Sequence, residues 1–432
     1  MDISRRQILG LAGALGGVAA LSACAGFSRP AGQASGSNEL TFTTWGTEAE
    51  LGGFERAIAA FEEATPGATV RLNVVPYQQM FENIDAQLQS GTEPDIFRAV
   101  YTNLGTYAGR DQLLDLSQYL DSDFGDQFTD PLWEAVQYDG IPYAVPHITD
   151  TSTILFNKEA FAAAGITSVP DTLESAWTWE EFDAVLVQLR SQLPEDRYPL
   201  AYNWQSASVT RWFSWLFQAG GRFLEEDLVT PAVDSDAGRA AVDFTKSFFE
   251  RNLVPQNNSV KSATFASETF FSETAAMAFG GTFLLPDAAS LAPFEVGATF
   301  QPRNARGGSD LGGNPLVATA NTSKPELAAE FLAFLTGRET QLDFCTASSL
   351  LPTRKDLVGE DLEFEALPEL GRFFVGQAST VQPEDAAQFA SPSVDAIRTV
   401  LSDQLEQAFI GGQGTDDTIR NLSDGIAAAT AR

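Results

Sequence analysis

One histidine, two cysteines and three methionines are all that the chain carries of those types, and these shortages remove most catalytic and metal chemistry. A lone His147 cannot build a zinc centre, which takes three or four protein donors. No HExxH, CxxC, GxSxG or phosphate-loop motif is present, so the common zinc, thiol, serine-hydrolase and nucleotide sites lack their parts. Neither metal nor cofactor is expected, and His147, between Pro146 and Ile148, reads as structural or hinge-lining. Positive charge is scarce too: 26 Lys and Arg stand against 58 Asp and Glu, a formal charge of −32. Such a surface repels nucleic acid and anionic headgroups. Long apolar runs are also missing. Residues 8–23 are uncharged but fall short of the roughly 20 apolar residues that comfortably cross a bilayer.

That short run follows Arg5-Arg6 and ends on Leu21-Ser22-Ala23-Cys24. It reads as the apolar region of a signal peptide, and the SRRxxL setting resembles a twin-arginine export signal. The LSAC tetrapeptide resembles a bacterial lipobox, whose cysteine takes a diacylglycerol and becomes the mature N-terminus. The expectation is a signal peptide over 1–23 and a lipid-anchored Gly/Ser/Ala-rich linker over 24–38. The chain would then be exported and tethered through Cys24 to the outer face of the cytoplasmic membrane. With Cys24 lipidated only Cys345 remains, which excludes an intramolecular disulfide. Cys345 in QLDFCTA reads as a buried thiol.

The remaining stretch, about 390 residues, suits two domains of about 200 each. ELTFTTW alternates as a strand, and Leu51, Phe54, Ile58 and Phe61 then follow at helical spacing behind Thr47, a plausible N-cap. ATVRLNVVPY, MFENIDAQLQSG and PDIFRAV repeat the strand-helix-strand order. Successive units of this kind predict a parallel, doubly wound sheet with ligands at the carboxyl ends of its strands. YDGIPYAVPHITDTSTILFNKEAF is a candidate crossing between domains. Farther on, Ala276 to Phe279 reads as a short buried strand before a Gly-Gly turn, and Ser323 and Pro325 as the N-cap and first residue of a helix. The C-terminal third is mainly helical.

Aromatic side chains cluster near the predicted strand ends and loops: Trp45, Tyr77, Tyr101, Trp204, Trp212 and Trp215. A pyranose has flat C–H faces edged by hydroxyls, so aromatic planes with Asp, Asn, Gln or Arg beside them suit its recognition. The competing reading is core packing, and in RWFSWLF the three-residue spacing puts Trp212 and Trp215 on one helical face. Gly280-Gly281 and Gly312-Gly313 would let backbone amides approach a ligand, or serve as tight turns. A glycosidase needs two carboxylates about 5 to 10 Å apart, which a count of Asp and Glu cannot supply.

Several stretches together resemble the family 1 extracellular solute-binding proteins of bacterial ABC importers, the carbohydrate type that includes maltose-binding protein. They are LTFTTWGTEAE, FEEATPGATVRLNVVPY, QLQSGTEPDIF, DGIPYAVPHITDTSTILFNKEAFAAAGI, WTWEEF, QAGG, FFSETAAMAFGG, PELAAEFLAFLTG and LPTRKD, in this order over nearly the whole chain after Cys24. The resemblance implies an α/β, two-lobed periplasmic-binding-protein-like fold, each lobe a mostly parallel sheet flanked by helices. Lobe 1 would hold 39–148 and 313–338, lobe 2 149–312 and 339–432. It implies a mono- or oligosaccharide held unchanged in the cleft by a monomer that hands it to importer permease subunits, with no catalytic residue. It also carries the ligand site onto Trp45, Gly46, Tyr77, Gln78, Arg98, Tyr101, Asp150, Thr151, Gly280, Gly281, Gly313, Asn314 and Arg354, beside the aromatic candidates Trp204, Trp212 and Trp215. The alternatives are a binder of another small polar solute, such as a polyamine, and a secreted glycoside hydrolase.

Overall fold

The helix Glu48–Ala64 starts where the sequence marks it. Thr47 accepts a hydrogen bond from the Glu50 amide, and the Glu50 carboxylate accepts one from the Thr47 amide at 2.7 Å, a reciprocal cap that satisfies two otherwise unpaired donors. Phe54, Ala57, Ile58 and Phe61 form its buried face. The computed structural model describes residues 38–358, 362 and 364–431; the export signal, Cys24 and most of the linker lie outside them. No helix among the described residues is long and apolar enough to cross a membrane.

The strands are β1 (Glu39–Thr44), β2 (Thr69–Val74), β3 (Ile96–Arg98), β4 (Gln137–Tyr138), β5 (Ile141–Pro142), β6 (Val145–Asp150), β7 (Thr153–Asn157), β8 (Tyr198–Ala201), β9 (Ala275–Gly280), β10 (Val296–Thr299), β11 (Gly312–Ala318) and β12 (Leu351–Pro352). They make a six-stranded sheet in the order β12-β6-β11-β3-β1-β2, a four-stranded sheet in the order β10-β7-β9-β8, and a β4-β5 hairpin. The fold is α/β with two lobes, each sheet flanked by helices. β1 pairs in parallel with β2 and β3, as the repeating strand-helix-strand pattern predicts. β6 and β11 run antiparallel to each other, and β11 antiparallel to β3. These two strands belong to the crossings: the chain leaves the first sheet after Asp150 and re-enters at Gly312, and a segment returning from the other lobe enters from the opposite end.

Two expectations change. The helix Arg338–Ser348 buries Phe344 and Cys345 in the same apolar cluster as Leu40, Phe42 and Phe54. β12 then pairs with β6 through Leu351 and Thr149. The chain therefore stays with the first sheet until Pro352 rather than leaving it at 338. The helix Pro325–Leu335 does begin with proline, whose missing N–H costs nothing there, but Lys324 rather than Ser323 holds the N-cap position.

His147 is a core residue. Its ring stacks on Phe54 at 5.3 Å and meets Phe344 edge-on at 4.5 Å, and among the described residues neither nitrogen has a hydrogen-bond partner. Burial, with a smaller contribution from the nearby Arg98 guanidinium, holds its pKa well below the usual value. The unfolded chain therefore binds a proton near pH 6.5 that the folded chain refuses. The stability His147 contributes is complete above about pH 6.5 and is lost as pH falls below it. Denaturant titrations at pH 7.5 and 5.5 are expected to show a smaller pH loss for His147→Phe than for the parent; equal losses would refute this assignment.

Candidate functional site

A cavity of about 480 Å³ lies between the lobes. From the first lobe it is lined by Trp45, Gly46, Thr47 and Glu50, by Tyr77 and Phe81 of the helix Tyr77–Ser90, and by Arg98, Val100 and Tyr101. Ile148, Asp150 and Leu311 to Asn314 of the crossings form part of the lining. Asn203, Arg211, Phe265 and Phe283 line it from the second lobe, and Arg398 reaches it from the helix Val394–Phe409. Placement at the end of β1 and β3 puts the site at the carboxyl edge of the parallel strands, where such sheets collect ligands.

Its first-lobe wall is aromatic. The Trp45 ring lies 5.2 Å from Tyr77 and 5.7 Å from Phe81. Behind Trp45, the Arg98 guanidinium sits 4.7 Å from the ring centroid, a cation–π contact. Arg98 is 1% exposed and donates to the Trp45 backbone carbonyl at 2.9 Å, the Glu50 carboxylate at 2.7 Å and the Asn314 side-chain oxygen Oδ1 at 2.7 Å. Burial pushes the Glu50 pKa up, but the Arg98 charge and the Thr47 cap outweigh it and hold the carboxyl below its usual value. Arg98 thus fixes the wall from behind.

A second cationic hub sits at the crossings. Arg211 bonds Asp150 at 2.7 Å and Ser152 at 2.8 Å, and pairs with Asp310. Asn203 also donates to Ser152 at 2.8 Å. Among the described residues one Asp150 carboxylate oxygen has no hydrogen-bond partner, and it is packed against Gly281. Burial raises its pKa, Arg211 pulls it down and Asp310 adds to the rise, which prevails. Burial lowers the Arg211 pKa, but Asp310 and Asp150 more than offset this and keep it charged.

Of the residues expected at the site, the cavity brings together Trp45, Gly46, Tyr77, Arg98, Tyr101, Asp150, Gly313 and Asn314. Gly313 has φ +98°, and a Cβ there would lie 2.5 Å from the Ile148 carbonyl oxygen, so glycine serves close strand contact as well as the turn. Gln78 is exposed on the first turn of its helix. Thr151 is buried against Ser309, and Gly280 against Leu284. Arg354 pairs with Asp356 and bonds Gln127 away from the cleft. Trp204, Trp212 and Trp215 are fully buried. Trp204 donates to the Asn258 carbonyl at 2.6 Å and stacks on Phe249, Trp212 donates to Thr245, and Trp215 packs among Trp179, Phe182 and Phe248. Core packing accounts for all three, as the helical spacing of Trp212 and Trp215 allows.

The sequence does not mark Glu50, Phe81, Asn203, Arg211, Phe265, Phe283 or Arg398 as site residues. Arg211 did carry a signal: an arginine inside SVTRWFSWLF must find carboxylates if that aromatic stretch is buried.

A family model described as bacterial extracellular solute-binding protein matches residues 45–342, which is more than half of the chain. The chain belongs to this family. As an extracellular solute-binding protein it is exported. It is 23% identical over 423 residues to the diacetylchitobiose binding protein DasA of Streptomyces coelicolor, a match covering 92% of this chain and 93% of the relative. Among solved structures, the solute-binding protein is similar to an ABC substrate-binding protein of Listeria monocytogenes in complex with cycloalternan, with TM-score 0.78 and 19% identity over 91% of this chain and 99% of that one. It is also similar to the cyclic alpha-maltosyl-1,6-maltose binding protein of Arthrobacter globiformis, with TM-score 0.76 and 19% identity over 91% and 98%. At these identities the two structures share the fold with this solute-binding protein.

Proposed function

We propose that this protein captures a mono- or oligosaccharide between its lobes, without altering it, and delivers it to the permease of an ABC importer. The observation that carries this reading is an aromatic wall, Trp45 with Tyr77 and Phe81, facing polar groups of the crossings across one cavity. A ring packed on the indole buries its C–H face while its hydroxyls meet Arg, Asp and Asn. The binding of saccharides by relatives that span nearly the whole chain supports the same class.

The charge of the lining argues against a polyamine. Glu50 and Asp150 are outnumbered by Arg98, Arg211 and Arg398, in a chain where acids exceed bases more than twofold. The glycosidase reading also loses support, because both lining carboxylates are tied to arginines rather than held as a proton donor and a free nucleophile. Anchoring through Cys24 belongs to the same proposal, with a Cys24→Ser protein expected in the medium instead of the membrane fraction.

The test is melting temperature against maltotriose, cellotriose, N,N′-diacetylchitobiose, arabinotriose, amino acids and spermidine. A ligand at 100 times its Kd adds about 2.7 kcal/mol of stability, a readily measured shift. A response to at least one saccharide and none to spermidine is expected, and Trp45→Ala should abolish it. Stabilisation by spermidine alone would overturn the reading.

A further inference from the structure

We propose that Arg211 is the residue through which a bound saccharide holds the lobes closed, because it grips both interlobe crossings and still has donors to give the ligand. This deepens the saccharide reading and rests on it. Arg211 belongs to the second lobe, in the 3₁₀ turn Ser206–Trp212. Its Nη1 donates to Ser152 and pairs with Asp310, and its Nη2 donates to Asp150. Asp150 ends β6, where the chain leaves the first sheet, and Asp310 precedes β11, where it returns. One side chain therefore fastens the outgoing and the returning segment to the same lobe.

The two carboxylates it joins repel each other, and the Asp310 charge acts to raise the Asp150 pKa. They stay together because the guanidinium lies between them. Ser152 closes the hub: it donates to Asp310 at 3.1 Å while accepting from Arg211 and Asn203.

A guanidinium has five N–H donors. Asp150, Ser152 and Asp310 use three, and neither Nε–H nor the second Nη2 hydrogen has a partner among the described residues. Nε is not among the sealed, unpartnered atoms, the side chain is 14% exposed, and the residue lines the cavity. The remaining donors are therefore available to the cleft. A planar cation with two donors suits two neighbouring oxygens, such as a vicinal diol of a sugar ring. Asn203, which donates to Ser152 on the same hub, lines the cavity beside Arg211. A ring that takes these groups while stacking on Trp45 touches both lobes, and its contact with the second lobe runs through the side chain that holds the crossings. Only a ligand with such differential contacts shifts the open–closed balance.

The experiment uses the full chain with Arg211→Lys, Arg211→Met and the double variant Arg211→Met/Asp310→Asn. The double variant removes one carboxylate with the cation, so that loss of folding does not decide the result. The titrant is whichever of maltotriose, cellotriose, N,N′-diacetylchitobiose and arabinotriose gives the parent its largest melting shift. Calorimetry is expected to show Kd raised at least 100-fold in both Met variants. For Arg211→Lys, which keeps the charge but not the fork, at least a 10-fold rise is expected. Small-angle scattering should show the ligand-induced fall in radius of gyration lost in all three. A folded double variant that binds within threefold of the parent and still contracts would overturn the role of Arg211 and leave the saccharide reading standing. A parent that responds to none of the four titrants would overturn the saccharide reading and this inference with it.

Discussion

A Gly281→Val protein is expected to fold and to bind saccharide at least 100-fold more weakly than the parent. Gly281 follows β9 with φ −90° and ψ 173°, extended backbone open to any residue, so the substitution strains no dihedral. The obstacle is steric. A Cβ there would lie 2.1 Å from an Asp150 carboxylate oxygen and 2.6 Å from the Phe283 ring, closer than a Cβ atom can pack. Asp150 cannot withdraw without giving up its 2.7 Å bond to Arg211, and Phe283 can move only within the cleft that it lines. Glycine leaves room for the Asp150 carboxylate and the Phe283 ring, and a branched side chain must displace one of these two lining residues. Far-UV circular dichroism with calorimetry measures both halves of the expectation; a folded variant with Kd within threefold of the parent would refute it.

Removing the cation behind the aromatic wall should cost stability as well as binding. Arg98→Met leaves the Glu50 carboxylate in a largely buried place without its counter-charge, and breaking a buried pair by deleting one partner typically costs about 3 to 5 kcal/mol. The Trp45 carbonyl and the Asn314 side chain lose their donor in the same step. Denaturant unfolding is expected to show a loss of that size. Adding Glu50→Gln should recover a large part of it, since an amide needs no counter-ion. Affinity should stay low in the double variant, because the indole has lost the group packed on one face. Equal stability of the single variant and the parent would show that the ion pair contributes nothing net.

Much of the first lobe was legible in the residues. Thr47 marked the cap and the alternation of ELTFTT wrote β1, while in the second lobe Ala276 to Phe279 was readable as a short buried strand before its Gly-Gly turn. Residues at the carboxyl ends of β1 and β3 followed from the sheet type, so Trp45 and Arg98 were in view early. What the sequence did not show was which way the second-lobe aromatics faced. Trp204, Trp212 and Trp215 share their chemistry with Trp45, and only the packing of Phe249, Thr245 and Phe248 around them separates core from cleft. Arg211 and Asp310 are 99 positions apart, a partnership set by tertiary folding that no local pattern encodes. The helix Arg338–Ser348 and β12 were misplaced for a related reason. Their attachment to the first sheet depends on Phe344 meeting Phe54 and His147, residues far away in the chain.

The division of the tryptophans also determines how this protein reports on itself optically. Of seven indoles, five are sequestered at positions 177, 179, 204, 212 and 215, and Trp45 alone borders the cavity. Intrinsic emission will be dominated by chromophores that no guest can touch, so a titration followed by total fluorescence will yield a small amplitude even at saturation. A Trp45→Phe protein supplies the spectrum to subtract, and the difference isolates the one indole that meets the sugar.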